Sequence, residues 1–284
     1  MRLRDAIQSF LRDAARTKSK STVQTYKYAL SELSQFLKED FELKTLRSEH
    51  AAIQGLKDFL DADTCSESSK QVRLSAIKSF GAWLNKNNLT SRNVFNSIKS
   101  FKVKSPISDY ISPDAINRCV QFAEDKKSIA NARDACIIRL LFSTGITISE
   151  LVALNLNDFC PNKKTLSIKS RSRPEIPLHP SMVHSLQLFC LSIRPQFKSN
   201  HLNPLFPNRF GNHLSRNLIA KNMKAIGSAC DLPLNPRILR NSFIQFAKSH
   251  QMNSTDLHWM LGFRHMVSTQ RRIQQTNQPS NTCV

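Results

Sequence analysis

No apolar run in this 284-residue chain is long enough to cross a bilayer; the best, Ala135–Phe142, falls far short of the roughly 20 residues a spanning helix needs. The opening Met1-Arg-Leu-Arg-Asp passes directly into an amphipathic pattern that contains acids, so no signal-peptide core is expected and no membrane partner is implied. The cysteines (Cys65, Cys119, Cys136, Cys160, Cys190, Cys230, Cys283) are scattered, odd in number and without a C-x-x-C pair. That pattern excludes a disulfide framework and a zinc site, leaves no cofactor to expect, and suits a reducing cytoplasm. Cys136, inside an apolar segment, reads as a small buried residue. Acids are in short supply, 21 against 41 Lys and Arg, which sets the net charge at +20. Tyrosine is rarer still: only Tyr26, Tyr28 and Tyr110, so no phenol is available after residue 110. No internal repeat is visible.

What is present is enough apolar residue, 40%, for real cores, and enough length for two domains of ordinary size. A soluble chain with this excess of positive charge calls for a polyanion, and nucleic acid leads because each neutralised phosphate releases counterions. The bland alternative is a solvated basic surface.

The first hundred residues read as a helical module. A helix over Leu3–Ala15 is followed by one capped by Ser19 or Ser21, with Tyr26, Leu30, Leu33 and Leu37 at three- and four-residue steps. His50–Leu60 repeats the pattern with Ile53, Leu56, Phe59 and Leu60. A further helix starts near Ser66, carries Val72, Leu74, Ile77, Phe80, Trp83 and Leu84, and ends at Asn85-Lys-Asn-Asn. On it, Lys70, Arg73 and Lys78 fall off the stripe of Val72, Ile77 and Phe80 and are expected to face solvent. Residues 101–112 have no helical period and contain Pro106, and are read as a linker; Ser112-Pro113 is a helix start. Two helices, Pro113–Glu124 and Asn131–Ser143, then a turn at Thr144-Gly145 and a short helix Ser149–Leu154 follow. Thr165–Lys169 and Glu175–Leu178 alternate as a hairpin around a basic turn at Ser170–Pro174. Helices are expected at Ser181–Cys190, His213–Cys230, Ile238–Ser249 and Ser254–Leu261, with a polar tail from Gln274 that frays. The fold class is mainly α with a small β-hairpin or sheet.

Several blocks in this order carry a resemblance: Thr144-Gly-Ile-Thr-Ile-Ser-Glu-Leu, then Leu154-Asn-Leu-Asn-Asp-Phe, Ile176-Pro-Leu, Pro236-Arg-Ile-Leu-Arg240 and Leu261-Gly262. The helix Asn131–Phe142 precedes the first block, and Ser21-Thr-Val-Gln-Thr-Tyr26 opens the N-terminal module. The chain resembles the tyrosine recombinases, the phage integrase family that includes the bacterial Xer proteins. The likeness covers nearly the whole chain. It implies a helical, SAM-like core-binding domain (1–100), a linker (101–112), an α+β catalytic-type domain (113–273) and a polar tail (274–284).

In that family a tyrosine hydroxyl attacks a DNA phosphate, two arginines stabilise the developing charge, a hairpin lysine protonates the leaving oxygen, and histidines assist. The resemblance maps the lysine onto Lys169, eight residues before Pro177, and the second arginine onto Arg240. The first arginine is replaced by Thr147, the histidine before Arg240 by Arg237, the one after it by Asn241, the next by Phe263 and the nucleophile by Arg272. His265, Ser268 and Thr269 lie near enough to be considered as substitutes, although an unactivated hydroxyl is a poor nucleophile without a base. The resemblance therefore implies a degenerate member that binds double-stranded DNA through Lys20, Lys70, Arg73, Lys78, Arg171, Arg173, Arg237, Arg264 and Arg271. It would be cytoplasmic, associated with a nucleoid or replicon, with an active recombinase or a second copy as partner. The alternatives are a working recombinase with a non-standard or borrowed nucleophile, and an interaction or RNA-binding module that kept only the fold. Family tetramers form by exchange of the C-terminal segment, which is not expected here because the tail is short and polar.

Overall fold

The computed structural model describes residues 2–36, 58–59, 65–90, 94–101, 109–171, 174–198 and 201–275, arranged in two compact units, Met1–Lys104 and Ser105–Val284. The expected helix His50–Leu60 (apart from Asp58, exposed, and Phe59, buried), Leu37, most of the linker and Arg173 lie outside the described residues.

The first unit contains α1 (Leu3–Thr17), α2 (Lys20–Phe36) and α3 (Glu67–Lys86). Their apolar faces meet in a core of Leu3, Ile7, Phe10, Leu30, Leu33, Leu74, Ile77, Phe80 and Leu84. Phe10 is its aromatic centre, with ring centroids 5.6 Å from Tyr26, 5.5 Å from Phe80 and 6.0 Å from Trp83. Ser19 starts α2 by accepting from the Thr22 amide, and Ser66 starts α3 by accepting from that of Ser69.

The α3 stripe differs from the sequence expectation. Val72 is 50% exposed, whereas Arg73 and Lys78 turn inward. Arg73 stands four residues before Ile77, on the buried face, and its guanidinium meets Glu32 of α2 at 3.0 Å with 13% of its side chain exposed. Lys78, four residues after Leu74, donates to the Ile98 carbonyl at 2.6 Å. Both cations therefore hold the module together instead of facing solvent, Lys70 is half-buried, and Lys20 is exposed.

The second unit is mainly helical with one small sheet. Ser112 caps α4 (Pro113–Asp125), which packs on α5 (Ile129–Thr144). The run Ala135-Cys-Ile-Ile in α5 is buried almost all round, as a central helix requires, and Cys136 is buried as expected. α6 (Ile148–Ala153) leads to β1 (Phe159–Cys160), β2 (Thr165–Ser167) and β3 (Glu175–Pro177), paired antiparallel in that order with Leu166 opposite Ile176. β1, at two residues, is too short to show an alternating pattern and adds a strand to the expected hairpin. α7 (Pro180–Leu188) runs on into a π-turn at Phe189–Ile193. Beyond it come α8 (Arg216–Ala229), α9 (Pro236–Ser249), α10 (Ser254–Leu261) and α11 (Met266–Gln275). α8 begins at Arg216 behind its N-cap Ser215, not at His213, because His213 bridges Pro207 and its ring contacts the Val152 carbonyl at 2.7 Å. α11 extends helix into the segment read as the start of the tail.

α5 ends at Gly145, which takes φ +62°, and a side chain there would run into the Phe243 ring of α9. Gly145→Ala should therefore cost about 2 kcal/mol or more from backbone strain and overpacking together. Urea denaturation of the full chain measures this; an unchanged midpoint would show that the α5–α9 contact yields freely.

Candidate functional site

Three segments that are distant in sequence converge in the second unit: the Gly145–Glu150 turn, the hairpin end at Lys169–Arg171, and the ends of α9, α10 and α11. Thr147 is the N-cap of α6. Its hydroxyl receives the Glu150 amide at 3.2 Å, and the Glu150 carboxylate receives the Thr147 amide at 2.7 Å. This is a reciprocal capping box. Thr147 thus has a defined structural task, and the T-x-x-E spacing that signals it is legible in the sequence.

Glu150 is the hub. Arg171 reaches it with two guanidinium nitrogens, Nε to Oε1 at 2.5 Å and Nη2 to Oε2 at 2.9 Å, while Nη1 donates to the carbonyls of Trp259 and Met260 at 3.3 and 2.7 Å. Only 5% of the Arg171 side chain is exposed. Expected to face DNA, Arg171 is instead turned inward, because a buried carboxylate and two helix-end carbonyls together satisfy its fork of donors. Its guanidinium also fills the space beside Gly262, which at φ +64° has no room for a side chain.

Arg240 completes the same arrangement from α9. It donates Nη1 to the Gly145 carbonyl and Nη2 to the Leu261 carbonyl at 2.7 Å, and the Phe263 ring lies 5.0 Å from the guanidinium carbon. The last three carbonyls of α10, Trp259, Met260 and Leu261, are therefore taken by two arginines. A helix C-terminus leaves such carbonyls without intrahelical partners and carries partial negative charge, so cations there complement it. Burial, with the charges of Arg171 and Arg272 adding to it against Glu150, pulls the Arg240 pKa down to about 10.

Arg272 lies at the edge of this group on α11 and donates to the Asn241 side-chain carbonyl at 2.7 Å. Asn241 in turn donates to the Asp109 carbonyl at 2.9 Å. Burial, then the nearby charge of Arg237, lowers the Arg272 pKa. Arg237 itself is exposed, as are Arg264 and Arg271. Lys169 has 71% of its side chain exposed, with its ammonium 3.0 Å from the buried Asp158 carboxylate. Arg171, Arg240, Arg272 and Arg237 thus share one neighbourhood, in which Glu150 supplies the carboxylate beside Arg171 and Arg240. After Arg171 and Glu150 are matched, a concentrated positive charge remains, suited to an anion.

The substitute nucleophiles can be placed as well. Thr269 is fully buried, its hydroxyl 2.6 Å from His258 Nδ1. It pins α11 to α10 and presents no oxygen to a substrate in this arrangement. Ser268 and His265 are exposed on the outer side of the same turn. Sequence reasoning missed Glu150 as the hub and Asn241 as the seat of Arg272; both are polar residues whose partners lie in other segments.

The family model described as "Phage integrase family" matches residues 109–278, and that described as "Phage integrase, N-terminal SAM-like domain" matches residues 7–88. The chain is 26% identical over 267 residues to a tyrosine recombinase XerC of Myxococcus xanthus, covering 91% of this chain and 88% of the relative. A tyrosine recombinase XerD of Oceanobacillus iheyensis is 25% identical over 259 residues, covering 89% and 86%. Among solved structures, the Tn1549 transposon integrase in complex with a circular intermediate DNA has a TM-score of 0.75 at 14% identity over 94% of each chain. A lambda integrase dimer bound to a COC′ core site has a TM-score of 0.72 at 14% identity, over 100% of this chain and 99% of that one. At such identity these two establish likeness of fold.

Arg171→Ala should destabilise the second unit by about 2–4 kcal/mol, since it removes the charge partner of the largely buried Glu150 carboxylate and the guanidinium donors on the Trp259 and Met260 carbonyls. The carboxyl of Glu150 gives a signed pH dependence. Burial acts to raise its pKa, but the Arg171 hydrogen bond, the Thr147 amide, the Arg171 charge and the Thr147 hydroxyl outweigh it and lower it overall. A lowered folded-state pKa contributes stability above the ordinary glutamate range that is lost as the pH falls through the folded value. The stability gap between the natural chain and Glu150→Gln should therefore narrow on acidification, as read by urea denaturation at a series of pH values. A constant gap would place the stabilisation elsewhere.

Proposed function

The chain belongs to the phage integrase family, and from that membership we propose that it binds double-stranded DNA and holds a backbone phosphate without cutting it. One observation carries this reading. Arginine stands where the family's tyrosine nucleophile belongs, and that Arg272 is tied to Asn241 beside Arg237 and Arg240. Cleavage by the family route requires a hydroxyl at that place, and a guanidinium cannot attack phosphorus. Two of the other replaced family positions also make built contacts: Thr147 caps α6, and Phe263 packs on Arg240. Such a pocket attracts phosphate electrostatically and carries little sequence information of its own.

The division of labour follows the family. Residues 1–100 act as the helical DNA-binding module and 113–273 as the catalytic-type domain, joined by 101–112 and followed by the tail 274–284. Lys20, Lys70, Arg237, Arg264 and Arg271 are assigned to the phosphate backbone, and Arg173, which lies outside the described residues, is assigned with them. Arg73, Lys78 and Arg171 are withdrawn from that set because their charged groups are engaged inside the protein. Lys169 and Arg240 are the retained family positions. Arg240 acts through its two carbonyls and Lys169 remains poised over Asp158. The partner in place of catalysis is an active tyrosine recombinase or a second copy of this chain on the same replicon DNA.

A nicked suicide duplex carrying candidate sites from the replicon tests this, with binding read on a native gel and covalent adducts on a denaturing gel. The expected result is a shifted band and no adduct. An adduct overturns the non-cutting reading, and absence of any shift overturns the DNA-binding one. Arg237→Ala should reduce the slope of log affinity against log salt by about one unit, since Arg237 is exposed and its loss removes a single phosphate contact. Arg240→Ala should instead lower stability, because its donors hold Gly145 and Leu261.

A further inference from the structure

The loop that leads into α8 holds an aromatic ring out in water. Phe210 is 58% exposed, more than any other described phenylalanine, and the Arg209 guanidinium carbon lies 4.5 Å from its ring centroid. The turn beneath the pair is rigidly built. The Asn208 side-chain carbonyl accepts the amides of Phe210 at 2.8 Å and Asn212 at 3.1 Å, and the Asn208 backbone carbonyl accepts the Gly211 amide at 3.0 Å. The Asn208 amide donates to the Asn212 carbonyl at 2.8 Å, Pro207 bridges to His213, and Gly211 takes φ +82°. A rigid turn that holds a large ring in solvent suits binding, because a preorganised anchor loses little freedom when a partner covers it.

Two observations identify the partner. From Ile176 to Cys230 the chain contains no Asp or Glu against six Lys and Arg, so the loop and α8 offer charge of one sign. The base of the tip is also tied to α6, the helix that borders the arginine site. The His213 ring contacts the Val152 carbonyl at 2.7 Å, and Arg216 Nη1 reaches the Ser149 hydroxyl at 3.4 Å. Phe210 is three residues from His213, at most about 11 Å along the chain. A duplex whose phosphate enters the arginine pocket therefore has the tip beside it.

We propose that the Arg209–Phe210 tip is a second contact to duplex DNA, in which Phe210 stacks on a base that it partly unstacks and Arg209 pairs with a neighbouring phosphate. The proposal rests on the DNA-binding reading above and adds to it a hold on the bases. An aromatic ring stacks on the π-face of any base, and apolar wedges open base steps most readily where the sequence is flexible, as at TA steps. The ring is uncharged, so its contribution releases no counterions, whereas that of Arg209 does.

The test uses the full chain and a fluorescent replicon duplex containing TA steps. Affinity is measured by anisotropy over a range of salt, and unstacked thymines are mapped with permanganate. Phe210→Ala should weaken binding roughly tenfold with the salt slope unchanged, and Phe210→Trp should restore it. Arg209→Ala should lower the slope by about one unit. A reactive thymine should appear with the natural chain and with Phe210→Trp and be missing with Phe210→Ala. Since Phe210 is exposed, Phe210→Ala should melt with the natural chain, which separates lost contact from lost folding. Full affinity in Phe210→Ala, or no reactive thymine with the natural chain, would overturn the proposal and leave the DNA-binding reading standing. Full affinity together with lost self-association in sedimentation would also overturn it and assign the tip to a protein interface. If the natural chain binds no duplex, both readings fall together.

Discussion

The arrangement of the second unit depends on one ion pair, Arg171 with Glu150, which joins three segments at a single buried point. Glu150 belongs to the first turn of α6, Arg171 to the end of the hairpin, and the remaining Arg171 donors reach the closing carbonyls of α10. A buried pair of this kind is stable only when its other lone pairs and protons are matched. Here the Thr147 amide and hydroxyl match the carboxylate, and the Trp259 and Met260 carbonyls match the guanidinium. Each of these contacts is a condition for the others, so the turn, the hairpin and the helix end are positioned as a set.

Arg240 extends that set toward the open side of the site. It carries the chain of contacts from the α5 C-cap at Gly145 to the last residue of α10, Leu261, and Phe263 covers its face. Arg272 and Arg237 then stand at the rim, one bound to Asn241 and the other exposed. The gradient is orderly. Arginines deep in the site are satisfied by protein oxygen, and Arg237 at the edge faces solvent. The role of each arginine is set by the oxygens its fork reaches, not by its charge alone.

This distinction also marks where the sequence could be read and where it could not. Helix starts at Ser66 and Ser112 and the hairpin were visible, because capping residues and alternation are local signals. The family blocks were visible for the same reason: they are short and contiguous. Arg73, Lys78 and Arg171 were misplaced because their partners Glu32, Ile98 and Glu150 lie 41, 20 and 21 residues away, and composition assigns a basic side chain to solvent by default. α11 was hidden by its polarity, since Ser268, Gln270, Arg271 and Gln274 leave only a narrow apolar face. Its buried anchor is a threonine, Thr269, held by His258.

The capping of Glu150 by Thr147 ties two tasks to one side chain. Both carboxylate oxygens of Glu150 are occupied, one by Arg171 and the other by Arg171 and Thr147 together. A residue at 147 without a hydroxyl would lose the α6 cap and a hydrogen bond to that carboxylate at the same time. The start of α6 and the setting of the ion pair are therefore inseparable at this position: no single change there can alter one and spare the other.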